Sequence, residues 1–298
     1  LSLPDLFPGF AQWKIDAQHT GIFARIGGDG PPLLLLHGYP QTHVCWHKVA
    51  PVLARHFKVY VADLRGYGDS DVPPDDALHT TYSKRSMADD MLHAMQRVGH
   101  ERFMVAGHDR GGRVAYRLAL DHPHRVTKLA ILDIVPTHAM WEALTDTRAA
   151  MRAYHWYFLA QPAPLPEMLI DANPIGFIDH TLASWTKARD LSPFDPSALE
   201  HYRRFYSDPK RVAATCADYR AGWHVDSAHD HHDMRHGRRI KCPTLALWGR
   251  AGFPDEHAAL GVWHRLSPHA RSQRIDCGHF LPEEAPEETA EALLQFFR

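Results

Sequence analysis

Gly107-His108-Asp109-Arg110-Gly111 follows the apolar residues Val105-Ala106 and precedes a helical stretch from Arg113 to Leu120. The pattern Gly-x-nucleophile-x-Gly, at a sharp turn from strand to helix, lifts the central side chain above the edge of a sheet. Here that side chain is a carboxylate. Serine in this place would exchange acyl groups, whereas an aspartate can attack a saturated carbon, displace a leaving group and remain as an ester that water cleaves. The five residues alone are a weak signal, because G-x-D-x-G also suits ordinary turns. Leu36-His37-Gly38-Tyr39-Pro40 strengthens it: the segment ends an earlier apolar run, where a backbone N–H can join that of the residue after the nucleophile, making Tyr39 and Arg110 the oxyanion-hole amides. Asp276-Cys277-Gly278-His279-Phe280 sets a histidine just before the last helical stretch, the position of a general base. Two acids compete to orient it, Asp133 after Leu129–Leu132 and Asp255 after Leu247-Trp248-Gly249, and spacing leaves both open with Asp133 slightly ahead.

These residues need a scaffold that brings distant loops to one edge. Leu33–Leu36, Val59–Ala62, Phe103–Ala106, Leu129–Leu132 and Thr244–Trp248 are short apolar runs of the kind that form buried parallel strands. Between the second and third, Met87, Met91, Ala94, Met95 and Val98 recur at helical spacing after the cap residue Ser83, and Gly99 supplies a stop. Strand, helix, strand is the signature of a doubly wound α/β sheet. From Thr137 to Asp226 the chain is rich in Trp, Tyr, Phe and Arg and punctuated by proline, which reads as a helical cap (137–226) inserted into one core (1–136 and 227–298). Glu283 to Phe297 reads as a final amphipathic helix.

Composition narrows the partners. The 298 residues hold 33 Lys plus Arg against 35 Asp plus Glu, a net charge of −2, so no global field draws nucleic acid or an anionic membrane. No apolar run approaches the roughly 20 residues of a membrane span, and a soluble, cytoplasmic protein is expected. Cys45, Cys216, Cys242 and Cys277 are scattered without a C-x-x-C pair, which favours free thiols over disulfides or a zinc site. The tract His229-Asp230-His231-His232-Asp233 with His236 reads as a solvated loop rather than a metal site, and Gly27-Gly28-Asp29-Gly30 as a tight hairpin turn.

Taken together, the sequence resembles the fluoroacetate (haloacetate) dehalogenases of the α/β-hydrolase superfamily. The resemblance runs through His37 to His43, Asp63 to Ser70, Gly107 to Arg113, Tyr154-His155-Trp156, Gln161 to Pro166, Asp218-Tyr219-Arg220 and Gly278-His279-Phe280. It implies Asp109 as nucleophile, Asp133 as acid, His279 as base, Arg110 and Arg113 as a carboxylate clamp, and His155, Trp156 and Tyr219 as a halide pocket. It implies no metal or organic cofactor, a small haloacid as substrate and a homodimer. The residue types fit. Arginines three apart at a helix start can project from one face, and guanidinium forks match a carboxylate; an indole N–H, a phenol O–H and an imidazole N–H are three donors for a departing halide. The blander readings are arginines paired with acids such as Asp121, and cap aromatics that simply pack. His138, Met140, Thr181 and Trp185 are further candidates for lining the access path. An epoxide hydrolase with the same nucleophile and a non-catalytic carboxylate binder are the rival functions.

Overall fold

The computed structural model describes residues 3–18, 20–252 and 256–298. The five apolar runs form strands β3 (Pro32–Leu36), β4 (Lys58–Ala62), β5 (Phe103–His108), β6 (Val126–Leu132) and β7 (Thr244–Gly249). All are parallel, and their near-continuous burial reflects helices on both faces. Each fully buried leucine, such as Leu33, Leu35 and Leu36, contributes about 1.5–3 kcal/mol. Three further strands, β1 (Ala11–Asp16), β2 (Gly21–Gly27) and β8 (Arg271–Ile275), complete an eight-stranded sheet in the order β1-β2-β4-β3-β5-β6-β7-β8. β1 and β2 form an antiparallel pair at one edge, and β8 the parallel strand at the other.

This topology corrects the reading of Gly27–Gly30. The hairpin closes earlier, where Ala17 N–H donates to the Thr20 carbonyl at 3.0 Å, while β2 and β3 are separated by β4. Gly28 instead lets the chain cross tightly beneath a neighbouring turn: its φ is +76°, and a Cβ there would lie 2.2 Å from the Ala54 carbonyl oxygen.

The helix Lys84–Arg97 starts where expected, with the Ser83 hydroxyl accepting from Ser86 N–H at 3.2 Å. It buries Met87, Ala88, Met91, Leu92, Ala94 and Met95. The last helix is two: Leu281–Glu284 and Pro286–Phe297. Pro286 lacks an N–H and forces Ala285 out of helical conformation, to φ −142°.

Between β6 and β7 the chain forms helices only, from Thr137–Ala143 to Ser227–Arg235. The histidine-rich tract is therefore a helix, not a loop. Its Asp230 and Asp233 are buried against Arg117, with Asp230 Oδ1 at 2.7 Å, so the histidines fall on the faces left over. Among the described residues no helix is long and apolar enough to cross a membrane.

Candidate active site

Every catalytic candidate stands at the carboxyl edge of a parallel strand. Asp109 closes β5 with φ 46° and ψ −116°, and the elbow helix Arg110–Asp121 begins at the next residue. Such a backbone costs about 1–3 kcal/mol and is held by its surroundings. The glycines are part of that hold. A Cβ on Gly107 would lie 2.3 Å from the Gly111 carbonyl oxygen, and one on Gly38 would lie 2.3 Å from the Asp109 Cβ. The loop after β3 thus passes against Asp109, and Tyr39 N–H donates to Asp109 Oδ1 at 2.7 Å. Oδ1 is thus engaged by a backbone amide, while Oδ2 faces His279.

Asp133 ends β6, His279 follows β8, and the structure joins them: His279 Nδ1 lies 2.7 Å from Asp133 Oδ2, while Asp133 Oδ1 accepts from Gly249 N–H at 3.1 Å. The competing Asp255 lies outside the described residues. Among the described residues His279 Nε2 meets no hydrogen-bonding partner, and it stands 3.8 Å from Asp109 Oδ2. Burial lowers the imidazole's pKa, but the hydrogen bond and charge of Asp133, then the charge of Asp109, outweigh it, so the net shift is upward. For Asp109 burial acts to raise the pKa and the cationic surroundings, His279 foremost, reverse it, which favours the ionised carboxylate.

The elbow helix carries three buried arginines whose partners differ. Arg117 is held by Asp230 and Asp233. Arg110 gives Nε and Nη2 to Asp218 at 2.9 and 2.6 Å, so only Nη1 is uncommitted. The bland expectation of an acid partner is thus realised for Arg110, with Asp218 in place of Asp121. Asp218 also accepts from Tyr67 O–H at 2.8 Å and from Lys84, and Lys84 Nζ reaches Asp226 at 3.6 Å. Arg113 is different. Among the described residues no carboxylate stands within 4.0 Å of it; Nη1 donates to the Val135 carbonyl at 2.5 Å, Nε has no partner, and the group lies 4.6 Å over the Trp156 ring.

A small cavity lies between these groups, lined by Asp109, Arg113, Asp133, His155, Trp156, Trp185 and His279, with Ile134, Val135 and Met140 as apolar wall. The space between these side chains is narrow, so it suits a small molecule. His155 and Trp156 reach it from the helix Tyr154–Leu159. Tyr219 stands behind them, its ring 5.7 and 5.6 Å from theirs and 4.1 Å under the Arg110 guanidinium, with a buried hydroxyl that meets no acceptor among the described residues. Burial pushes His155 down to about 3, which makes its ring a neutral donor, and raises Tyr219 well above the usual phenol range. Of the access-path candidates, Met140 and Trp185 line the cavity; His138 turns to Ser227 and His231, and Thr181 bonds the Phe177 carbonyl. Sequence reading missed His108. Burial drives it to about 3, so it is neutral, and Nε2–H donates to the His279 carbonyl at 2.8 Å. Its place beside the nucleophile was visible, but its partner 171 residues away was not.

Comparison with known proteins is consistent with this geometry. Residues 31–286 match the family model for the alpha/beta hydrolase fold. The fluoroacetate dehalogenase of a Burkholderia species is 44% identical over 98% of this chain and 95% of its own length. A soluble epoxide hydrolase of Corynebacterium sp. strain C12 is 30% identical over 91% of each chain. Among solved structures, ALR0039 from Nostoc sp. PCC 7120 superposes with a TM-score of 0.93 at 51% identity, covering 97% of this chain and 98% of that one.

Proposed function

The chain belongs to the α/β-hydrolase fold family and, within it, to the fluoroacetate dehalogenases, and on that premise we propose that it hydrolyses the carbon–halogen bond of fluoroacetate or other small 2-haloacids. The observation that carries the reading is Arg113. A buried cation without a carboxylate partner is costly, and an anionic substrate relieves that cost beside the nucleophile. A neutral epoxide or haloalkane would leave it unpaired.

In the first step Asp109 Oδ2 attacks C2 of the substrate, and the halide leaves with the bonding electron pair. The substrate carboxylate is held by Arg113 and by Arg110 through Nη1, while His155, Trp156 and Tyr219 donate to the halide. In the second step His279 Nε2 takes a proton from water, whose oxygen attacks the ester carbon. Tyr39 and Arg110 amides hold the oxyanion on Oδ1, and collapse releases glycolate with the proton that His279 returns. Asp133 fixes the imidazole tautomer and stabilises the imidazolium. The second water proton accompanies the halide into solution, so the chemistry balances with no metal or organic cofactor.

Residues 137–226 act as the cap over a core of 1–136 and 227–298 in this reading. Tyr157, Leu165, Met168, Leu169 and Trp223 leave large apolar surface exposed on the cap, which supports a homodimer. Free cysteines support a cytoplasmic setting. A 2,3-epoxy acid is the second reading: it would use the same arginines, and the unpartnered Tyr219 hydroxyl could protonate its oxygen.

The test is release of halide and glycolate from fluoro-, chloro- and bromoacetate by purified, chelator-treated protein, with Asp109→Ala as blank. Catalytic release absent from the blank is expected. Release of chloride and bromide alone removes the fluoride pocket from the reading, and turnover of none transfers the nucleophile to epoxides.

A further inference from the structure

We propose that Glu284 is a positioning residue for the general base, acting through the backbone of the His279 loop. Glu284 ends the short helix Leu281–Glu284 and turns its carboxylate back on the segment that precedes it. Oε2 accepts from Gly278 N–H at 2.8 Å and Oε1 from Phe280 N–H at 2.9 Å, so the amides of both residues that flank His279 hang on one side chain. Oε2 also takes Lys187 N–H at 2.8 Å, from the cap segment that follows Trp185. The remaining amide of the loop, His279 N–H, donates to the Trp185 carbonyl at 3.0 Å.

Three successive amides are thus fixed, two by Glu284 and one by the cap, and Glu284 ties that same cap segment down. The Lys187 ammonium goes elsewhere, to Asp276 at 2.7 Å, so the carboxylate is engaged through backbone hydrogen bonds and not as half of an ion pair with that lysine. Its negative charge also favours the imidazolium of His279. Ionised acceptors on backbone N–H groups are among the stronger hydrogen bonds, which suits a side chain that must hold a loop without touching the substrate. The consequence is selective. Displacement of halide uses Asp109, Arg113 and the cap donors; only cleavage of the ester uses His279.

The proposal rests on the two-step reading of Asp109 and His279, and its test separates the steps. With Glu284→Ala, rapid mixing with a haloacetate should give a halide burst close to one equivalent at a rate within about threefold of wild type. Steady-state turnover should fall about a hundredfold, the usual effect of a displacement near 1 Å, and the glycolyl adduct should accumulate on Asp109 by intact mass. Glu284→Gln, which keeps one acceptor oxygen, should recover part of the turnover. A general loss of fold would instead reduce burst and turnover together, and that outcome, or turnover within threefold of wild type, overturns the proposal. A second measurement needs no substrate: the low-field proton resonance of His279 Nδ1–H bonded to Asp133 should broaden or vanish in Glu284→Ala. If wild type turns over no haloacetate, the functional reading falls, and an unchanged low-field resonance in the variant still overturns the role of Glu284.

Discussion

Replacing Asp218 by asparagine removes the acceptor that holds two buried cations. Its carboxylate takes Arg110 at 2.9 and 2.6 Å, Tyr67 at 2.8 Å, and Lys84. With Asp226, the cluster of Arg110, Lys84, Asp218 and Asp226 is neutral; the variant leaves it one positive charge in excess. Breaking a buried pair from one side costs about 3–5 kcal/mol, a large share of the roughly 5–15 kcal/mol that holds a typical domain folded. The expected fall in melting temperature is on the order of 10 °C. Its pH dependence follows from Lys84. Burial already pulls that ammonium below its ordinary pKa, and loss of Asp218 pulls it further. The unfolded chain, with lysine near 10.4, then binds more protons than the folded one, so the variant gains stability as pH rises. Thermal scans followed by tryptophan fluorescence at several pH values should show the deficit shrinking from neutral pH toward pH ~9, by at most about 1.4 kcal/mol per pH unit. Adding Lys84→Met should restore much of the loss, because an apolar isostere needs no counter-charge. A melting point within about 2 °C of wild type, or a deficit independent of pH, would refute this account of the cluster.

Trp156→Phe keeps the ring over Arg113 and deletes the N–H; fluoroacetate turnover should fall by about 10²–10³, with a smaller loss on bromoacetate, and equal losses on both would remove the indole from the halide pocket. Asp133→Asn should lower turnover by about 10³–10⁴ through the wrong imidazole tautomer, with halide burst retained, as rapid-mixing assays can read. His279 titrates above its ordinary value in the resting enzyme partly because Asp109 is charged. Esterification removes that charge, so the acid limb of kcat should lie below the His279 pKa measured by NMR in free enzyme; coincidence of the two would count against the ester.

Much of the scaffold was readable because its strands are continuous apolar runs, and the nucleophile because two glycines mark the elbow. β1 and β8 were not. Ala11–Asp16 is exposed at five of six positions and Arg271–Ile275 is polar, so neither carries a burial signal and both owe their conformation to partners elsewhere in the chain. The acid could not be separated by spacing, since both loops follow buried strands; the 2.7 Å contact of Asp133 with His279 joins residues 146 positions apart and has no local signal. Nor does Arg110 reveal in sequence that most of its fork is taken by Asp218, a residue 108 positions away on the helix Pro209–Ala221. Local pattern reports which groups can react, whereas their remaining valence depends on long-range packing.

The Arg110–Asp218 contact also bears on how such proteins can be recombined. Lys84 and Arg110 precede residue 137 and Asp218 and Asp226 follow it, so under the cap-and-core division proposed above the two parts cannot be exchanged separately. A chimaera that takes residues 137–226 from a relative must bring an acid to the place of Asp218, or surrender Arg110 and Lys84 at the same time. Substitutions at Met140 and Trp185, which line the cavity and carry no charge, leave the charge balance of this cluster unchanged.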